Sequence, residues 1–120
     1  IKVLADPALL QVAIENLLGN AFKFTTTQDK ALIEVGSMIK DGETVVFVRD
    51  NGVGFDMNYA DKLFIPFQRL HSASEFPGTG VGLASIKRVM SKLGGRIWAE
   101  SSVGQGATFY LQFARIGAEQ

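Results

Sequence analysis

The chain has 120 residues, and its twelve Lys and Arg are balanced by twelve Asp and Glu, so the basic footprint expected of a nucleic-acid binder is absent. It contains no cysteine, which excludes disulfides, thiol chemistry and cysteine-ligated metals. No apolar run approaches the roughly 20 residues that cross a bilayer and no signal peptide opens the sequence, so a single soluble domain spanning 1–120 is expected, with no membrane contact of its own.

Ile1–Ala5 reads as a strand, and the lack of an initiating Met leads us to expect a piece of a longer protein. Asp6-Pro7 is a helix start, with a side-chain acceptor at the N-cap and a ring that presets φ at the first helical position. The helix is predicted to run to about Phe24, with Leu10, Ile14, Leu17, Leu18 and Ala21 on its core face. Asn16, Asn20 and Lys23 fall on a second stripe. Most polar stripes are solvated faces, but Asn is a poor mid-helix residue and Gly19 costs about 1 kcal/mol relative to Ala. A functional face is therefore an equal contender.

Thr25–Lys30 reads as a loop. Ala31–Lys40 and Glu43–Asp50 are predicted strands joined by Asp41-Gly42, a two-residue hairpin signal. The second runs into Asp50-Asn51-Gly52-Val53-Gly54-Phe55, which serves either as a turn device or as a carboxylate held at the mouth of a pocket. A short helix is expected over Asp56–Leu63, followed by Phe64-Ile65-Pro66-Phe67-Gln68-Arg69-Leu70, whose aromatics are core or cover residues. His71–Pro77 is irregular and has the character of a lid.

Gly78-Thr79-Gly80-Val81-Gly82-Leu83 precedes a helix whose apolar residues Leu83, Ile86, Val89, Met90 and Leu93 share one face; Gly94-Gly95 ends it. Alternate glycines at a helix entry leave backbone N–H groups unshielded where the helix dipole favours an anion, which is phosphate-binding chemistry. Neither the Gly-Lys-Ser/Thr of a P-loop nor the preceding strand of a dinucleotide fold is present. Arg96–Ser101 and Ala107–Ala114 form a second predicted hairpin closed by Gly104-Gln105-Gly106, with Phe109, Leu111 and Phe113 turned to the core. Trp98 reads as a sheet-packing residue, and the tail from Arg115 as polar and frayed. Two hairpins alternating with two amphipathic helices predict a two-layer α+β sandwich.

Five motifs thus stand in one order: Asn16-x-x-x-Asn20-Ala21-x-Lys23-Phe24, Asp50-x-Gly52-x-Gly54, Phe64-x-Pro66-Phe67, Gly78-x-Gly80-x-Gly82-Leu83 and Gly104-x-Gly106-x-Thr108-Phe109. From about Leu10 to Phe113 the chain resembles the ATP-binding catalytic domain of sensor histidine kinases, in the superfamily of DNA gyrase, Hsp90 and MutL, where these motifs are the N, G1, F, G2 and G3 boxes. Phe67-Gln68-Arg69-Leu70-His71-Ser72 further resembles phytochrome-type photoreceptor kinases. The resemblance implies a Bergerat-type fold, a mostly antiparallel mixed sheet packed against helices.

It also implies roles. The position of Asn20 holds Mg²⁺ through its amide oxygen with support from Asn16, neutral donors that suit a hard ion keeping most of its waters. Lys23 neutralises phosphate, Arg69 contacts the γ-phosphate, and Phe24 walls the nucleotide where the family often has Tyr. Asp50 accepts a hydrogen bond from the adenine amine, Gly52 and Gly54 allow close approach, and Thr108 is expected near the base, beside Asp50. Gly78, Thr79, Gly80, Val81, Gly82 and Leu83 cap the phosphates. The gyrase-like ATPases carry a glutamate as general base at the position of Asn16; an amide cannot take that proton, and Glu15 points about 100° around the helix, so transfer is favoured over hydrolysis. His71 is the sole histidine and has Ser72 where the family's acceptor has an acid, so it is read as a lid residue.

The implied activity is transfer of the γ-phosphoryl of Mg-ATP to a histidine on a dimerisation domain of the same protein, in the cytoplasm, with a response regulator downstream. A degenerate module that retains the fold without turnover, and an ATP-driven clamp of the gyrase or Hsp90 kind, are the alternatives; intact motifs oppose the first and Asn16 the second.

Overall fold

In the computed structural model, residues 6–58, 64 and 82–114 are described. The chain begins with helix α1 (Pro7–Phe24), capped by Asp6, whose Oδ1 accepts from the Ala8 and Leu9 N–H groups at 2.9 and 3.3 Å. These bonds satisfy two donors that a helix start otherwise leaves open. Strands β1 (Ile33–Lys40) and β2 (Glu43–Asp50) follow, then helix α2 (Gly82–Lys92) and strands β3 (Arg96–Ser101) and β4 (Ala107–Gln112). The four described strands make one antiparallel sheet in the order β1-β2-β4-β3. Asp41 and Gly42 both take positive φ, 53° and 78°, as the two-residue turn between β1 and β2 requires.

Both helices lie on one face of the sheet, because the strand alternation and the helical stripes present apolar side chains to each other. Val48, Ala99, Ala107, Phe109, Leu111 and Phe113 from the sheet join Ala13, Leu17 and Ala21 of α1 and Ile86, Val89 and Met90 of α2 in one buried cluster. Leu10, Ile14, Leu18, Leu83, Leu93 and Phe64 pack on it half-buried. Ala13 joins the predicted face of α1, three residues after Leu10 and four before Leu17.

The far face carries its own side-chain rows. Gly36, Phe47, Tyr110 and Trp98 pair across all four strands. Trp98 stacks on Tyr110 with centroids 5.0 Å apart, and the Lys40 ammonium sits 4.6 Å from the Trp98 centroid. Trp98 is thus a sheet-packing residue, as expected.

Element ends shifted slightly from expectation. β1 starts at Ile33 rather than Ala31, since the Leu32 N–H is taken by the Asn51 side chain at 2.9 Å. β4 stops at Gln112 rather than Ala114. Of the helix expected over Asp56–Leu63, a 3₁₀ turn at Met57 and Asn58 is seen; residues 59–63, the strand at Ile1–Ala5, the lid and the tail from Arg115 lie outside the described residues.

Candidate functional site

Residues of three motifs converge where β2 ends. Asp50 is the last residue of β2 and is 6% exposed. Its Oδ1 accepts the Gly52 N–H at 2.8 Å, which fixes the carboxylate and turns the chain back toward α1. Val53 then bonds in both directions: its N–H donates to the Phe24 carbonyl at the end of α1 (3.2 Å), and its carbonyl accepts the Gly104 N–H of the β3–β4 turn (2.7 Å). One residue thereby ties the N, G1 and G3 motifs together.

The glycines here are dictated by contact. A Cβ on Gly52 would collide with the Phe24 carbonyl, and one on Gly106, at φ +80°, with the Asp50 carbonyl. Gly54, at φ +67°, abuts the Ser102 carbonyl. Larger residues would force the loop, the helix end and the turn apart.

Along α1 the polar residues lie in file from this junction. Lys23 and Phe24 stand beside the Gly52 loop, with the Lys23 ammonium 5.1 Å from the Phe24 ring centroid. Asn20 and Asn16 lie about 6 and 12 Å further back along the axis from Phe24. All three stripe residues, Asn16, Asn20 and Lys23, are half-buried rather than solvated. The Asn16 amide N–H donates to the Val12 carbonyl at 2.9 Å. Glu15 is exposed and accepts from the Gln11 amide at 2.9 Å.

On the other side of the core, Gly82 begins α2, and the Leu83 side chain packs on the buried cluster. Leu83 can therefore offer a ligand its backbone, while its side chain belongs to the core. Arg69, Gly78, Thr79, Gly80, Val81 and His71 lie outside the described residues.

One placement differs from expectation. Asp50 pairs with Ala107, whereas Thr108 pairs with Arg49, so Thr108 projects from the face opposite Asp50 and accepts from Arg49 Nε at 3.3 Å. Ala107 is the true neighbour of the carboxylate. Counting by twos back from the core-facing Phe113, Leu111 and Phe109 already put position 107 on the helix side. Sequence reasoning also passed over Val53, which acts through its backbone, and Ser101 and Thr25, whose hydroxyls act locally. Thr25 is buried and donates to the Ala21 carbonyl at 2.8 Å, closing the end of α1.

A cavity of about 660 Å³ wraps this end of the sheet. It takes in Asp50, Ala107 and Ser101 from the helix side, and Glu34, Arg49, Glu100 and Thr108 from the opposite row.

This junction of helix stripe, buried carboxylate and glycine turns marks a nucleotide-binding α+β domain. A family model described as histidine kinase-, DNA gyrase B- and HSP90-like ATPase matches residues 5–116, and the chain belongs to that family. It is 41% identical over 118 residues to cyanobacterial phytochrome A of Nostoc sp., covering 98% of this chain and 15% of that protein. Similarity to phytochrome-like protein Cph1 of Synechocystis sp. is 39% over 109 residues, covering 91% and 14%. Among solved structures, the mycobacterial sensor histidine kinase MprB superposes with a TM-score of 0.81 at 27% identity, covering 92% of this chain and 75% of that one. Full-length ShkA in complex with AMPPNP gives 0.77 at 28% identity, covering 92% and 22%. The resemblance to histidine kinase catalytic domains, and to phytochrome kinases among them, is borne out.

Burial raises the Asp50 carboxyl above its ordinary pKa, opposed by hydrogen bonds from the backbone of Gly52 and Ala107. A carboxyl with a raised folded-state pKa holds its proton more tightly folded than unfolded, so stability falls as pH rises from the ordinary carboxylate range through that raised value. Asp50→Asn removes this titration. Urea denaturation between about pH 4 and pH 7 is expected to show the stability difference moving in the variant's favour as pH rises; a difference that stays constant would show that the fold does not oppose ionisation.

Proposed function

We propose that this domain binds Mg-ATP and donates the γ-phosphoryl group to a histidine on a separate dimerisation domain, as the kinase part of a two-component relay. The observation that carries the reading is the buried, backbone-fixed carboxylate of Asp50 at a junction that also holds the end of the polar helix stripe. A fixed acceptor at that point suits the exocyclic amine of adenine, where guanine presents a carbonyl. Phe24 supplies an aromatic wall, and Gly52 and Gly54 keep the loop backbone close.

Further along α1, the Asn20 and Asn16 amide oxygens are donors of the kind Mg²⁺ accepts while keeping most of its waters. They are hard oxygen ligands that would complete a shell made mostly of phosphate oxygens and water. Bound there, Mg²⁺ would neutralise phosphate charge. The Lys23 ammonium adds to that neutralisation, and by motif Arg69 and the backbone of Gly78, Thr79, Gly80, Val81, Gly82 and Leu83 contact the phosphates. Catalysis of this kind rests on positioning and electrostatics. Water attack is disfavoured, because Asn16 cannot accept a proton and Glu15 is turned away and bonded to Gln11.

Among the described residues no helix is long and apolar enough to cross a membrane, and action in the cytoplasm on a response regulator through the acceptor domain completes the reading. ATP binding by the relatives' fold supports it, since the similar ShkA structure holds AMPPNP.

Asp50→Ala is expected to weaken ATP by about 1–3 kcal/mol, the cost of leaving a buried donor without its acceptor, and to bring ATP and GTP affinities together. An unchanged preference for ATP in competition titrations would reduce Asp50 to a turn residue. With γ-labelled ATP, the domain alone is expected to stay unlabelled, and acid-labile label is expected to appear on an added dimerisation domain bearing an acceptor histidine. Label on the domain itself that disappears in His71→Gln would contradict this.

A further inference from the structure

Ile33, Asp50, Ala107 and Ser101 pair in one row across the helix-covered face at the end of the sheet. Ser101 belongs to none of the five motifs, yet its hydroxyl works in two directions. Oγ accepts the Phe55 N–H at 2.8 Å and donates to the Gly106 carbonyl at 2.6 Å. The first bond anchors the segment that leaves Asp50, and the second anchors the turn that leads into Ala107.

Both ends of this clamp bear on Asp50. Gly106 lies directly against the Asp50 carbonyl, where no Cβ could fit, so displacement of Gly106 displaces the end of β2. Phe55 is 5% exposed and its ring packs 6.2 Å from that of Phe109, centroid to centroid. That packing holds the residue in place, so its part-buried amide would be left without this partner if the hydroxyl were removed, at a cost in free energy. A hydroxyl can accept and donate at once; an alanine can do neither.

We propose that Ser101 is a positioning residue for base recognition, whose hydroxyl clamps the segment after Asp50 to the β3–β4 turn and so holds the Asp50 carboxylate in its adenine-reading place. This inference rests on the nucleotide reading of the site. It predicts a specific pattern: loss of the clamp loosens the base contact and leaves the phosphate contacts along α1 intact, so ATP weakens while GTP does not.

The test compares the wild-type domain with Ser101→Ala, Ser101→Cys and Ser101→Thr. ATP and GTP dissociation constants are measured well below each variant's melting temperature, together with amide exchange at Phe55. Ser101→Ala is expected to cut the ATP over GTP preference about fivefold, the scale of one net hydrogen-bond contribution passed on to the base contact, and to speed Phe55 exchange. Ser101→Cys, whose thiol is a weak donor and acceptor, is expected to follow Ala and serves if the alanine variant does not fold. Ser101→Thr keeps the hydroxyl and is expected to retain both properties. A lowered melting temperature with the ATP preference intact in the Ala or Cys variant would overturn the proposal and leave Ser101 a structural residue. A wild-type domain that does not prefer ATP would instead overturn the nucleotide reading, and this inference with it.

Discussion

The structure depends on a short loop that is bonded on both sides at once. After β2 the chain must leave a sheet, pass the end of α1 and return beneath the β3–β4 turn, and Val53 secures it by giving its N–H to Phe24 and its carbonyl to Gly104. Backbone groups buried in such a passage need partners. Here those partners are supplied by the two neighbouring motifs, so the three segments are mutually dependent. Glycine at 52, 54 and 106 follows from that packing, because each abuts a carbonyl oxygen where a side chain would stand.

The fold opposes ionisation of the Asp50 carboxyl. A carboxylate at the end of a central strand is desolvated by the same packing that fixes it, and two backbone hydrogen bonds offset only part of that penalty. The core beneath compensates: Leu17, Ile86, Met90, Leu111 and Phe113 are almost wholly removed from water, each contributing on the order of 1.5–3 kcal/mol by transfer. The helix that supplies Leu17 also carries the half-buried polar stripe of Asn16, Asn20 and Lys23, so one element contributes to both the core and the proposed site.

Much of this was legible from residue order. The 3.6-residue spacing of Leu10, Ile14, Leu17 and Ala21 and of Ile86, Val89 and Met90 located both helices, and Asp41-Gly42 located the first hairpin. The candidate site was readable where the proposal rests on a side chain, as at Asp50 and along Asn16, Asn20 and Lys23. It was hidden where the backbone does: nothing in the identity of Val53 announces two hydrogen bonds to distant segments. Thr108 misled because its hydroxyl looked functional, while strand alternation, which a core-facing Phe109 already implied, turns it to the far side of the sheet. Ser101 was invisible for the converse reason, since a serine at a strand end is ordinary until its partners at Phe55 and Gly106 are known.

The central claim is that Asp50, held by this junction, reads the base of a nucleotide whose phosphates run along α1. A crystal structure of the domain with Mg²⁺ and AMPPNP tests it most directly. The account predicts an adenine amino nitrogen within about 3.2 Å of an Asp50 carboxylate oxygen, with the triphosphate beside Asn20 and Lys23. Nucleotide seated instead among Glu34, Arg49 and Glu100 on the opposite face, or an adenine whose amine meets a different acceptor, would contradict it.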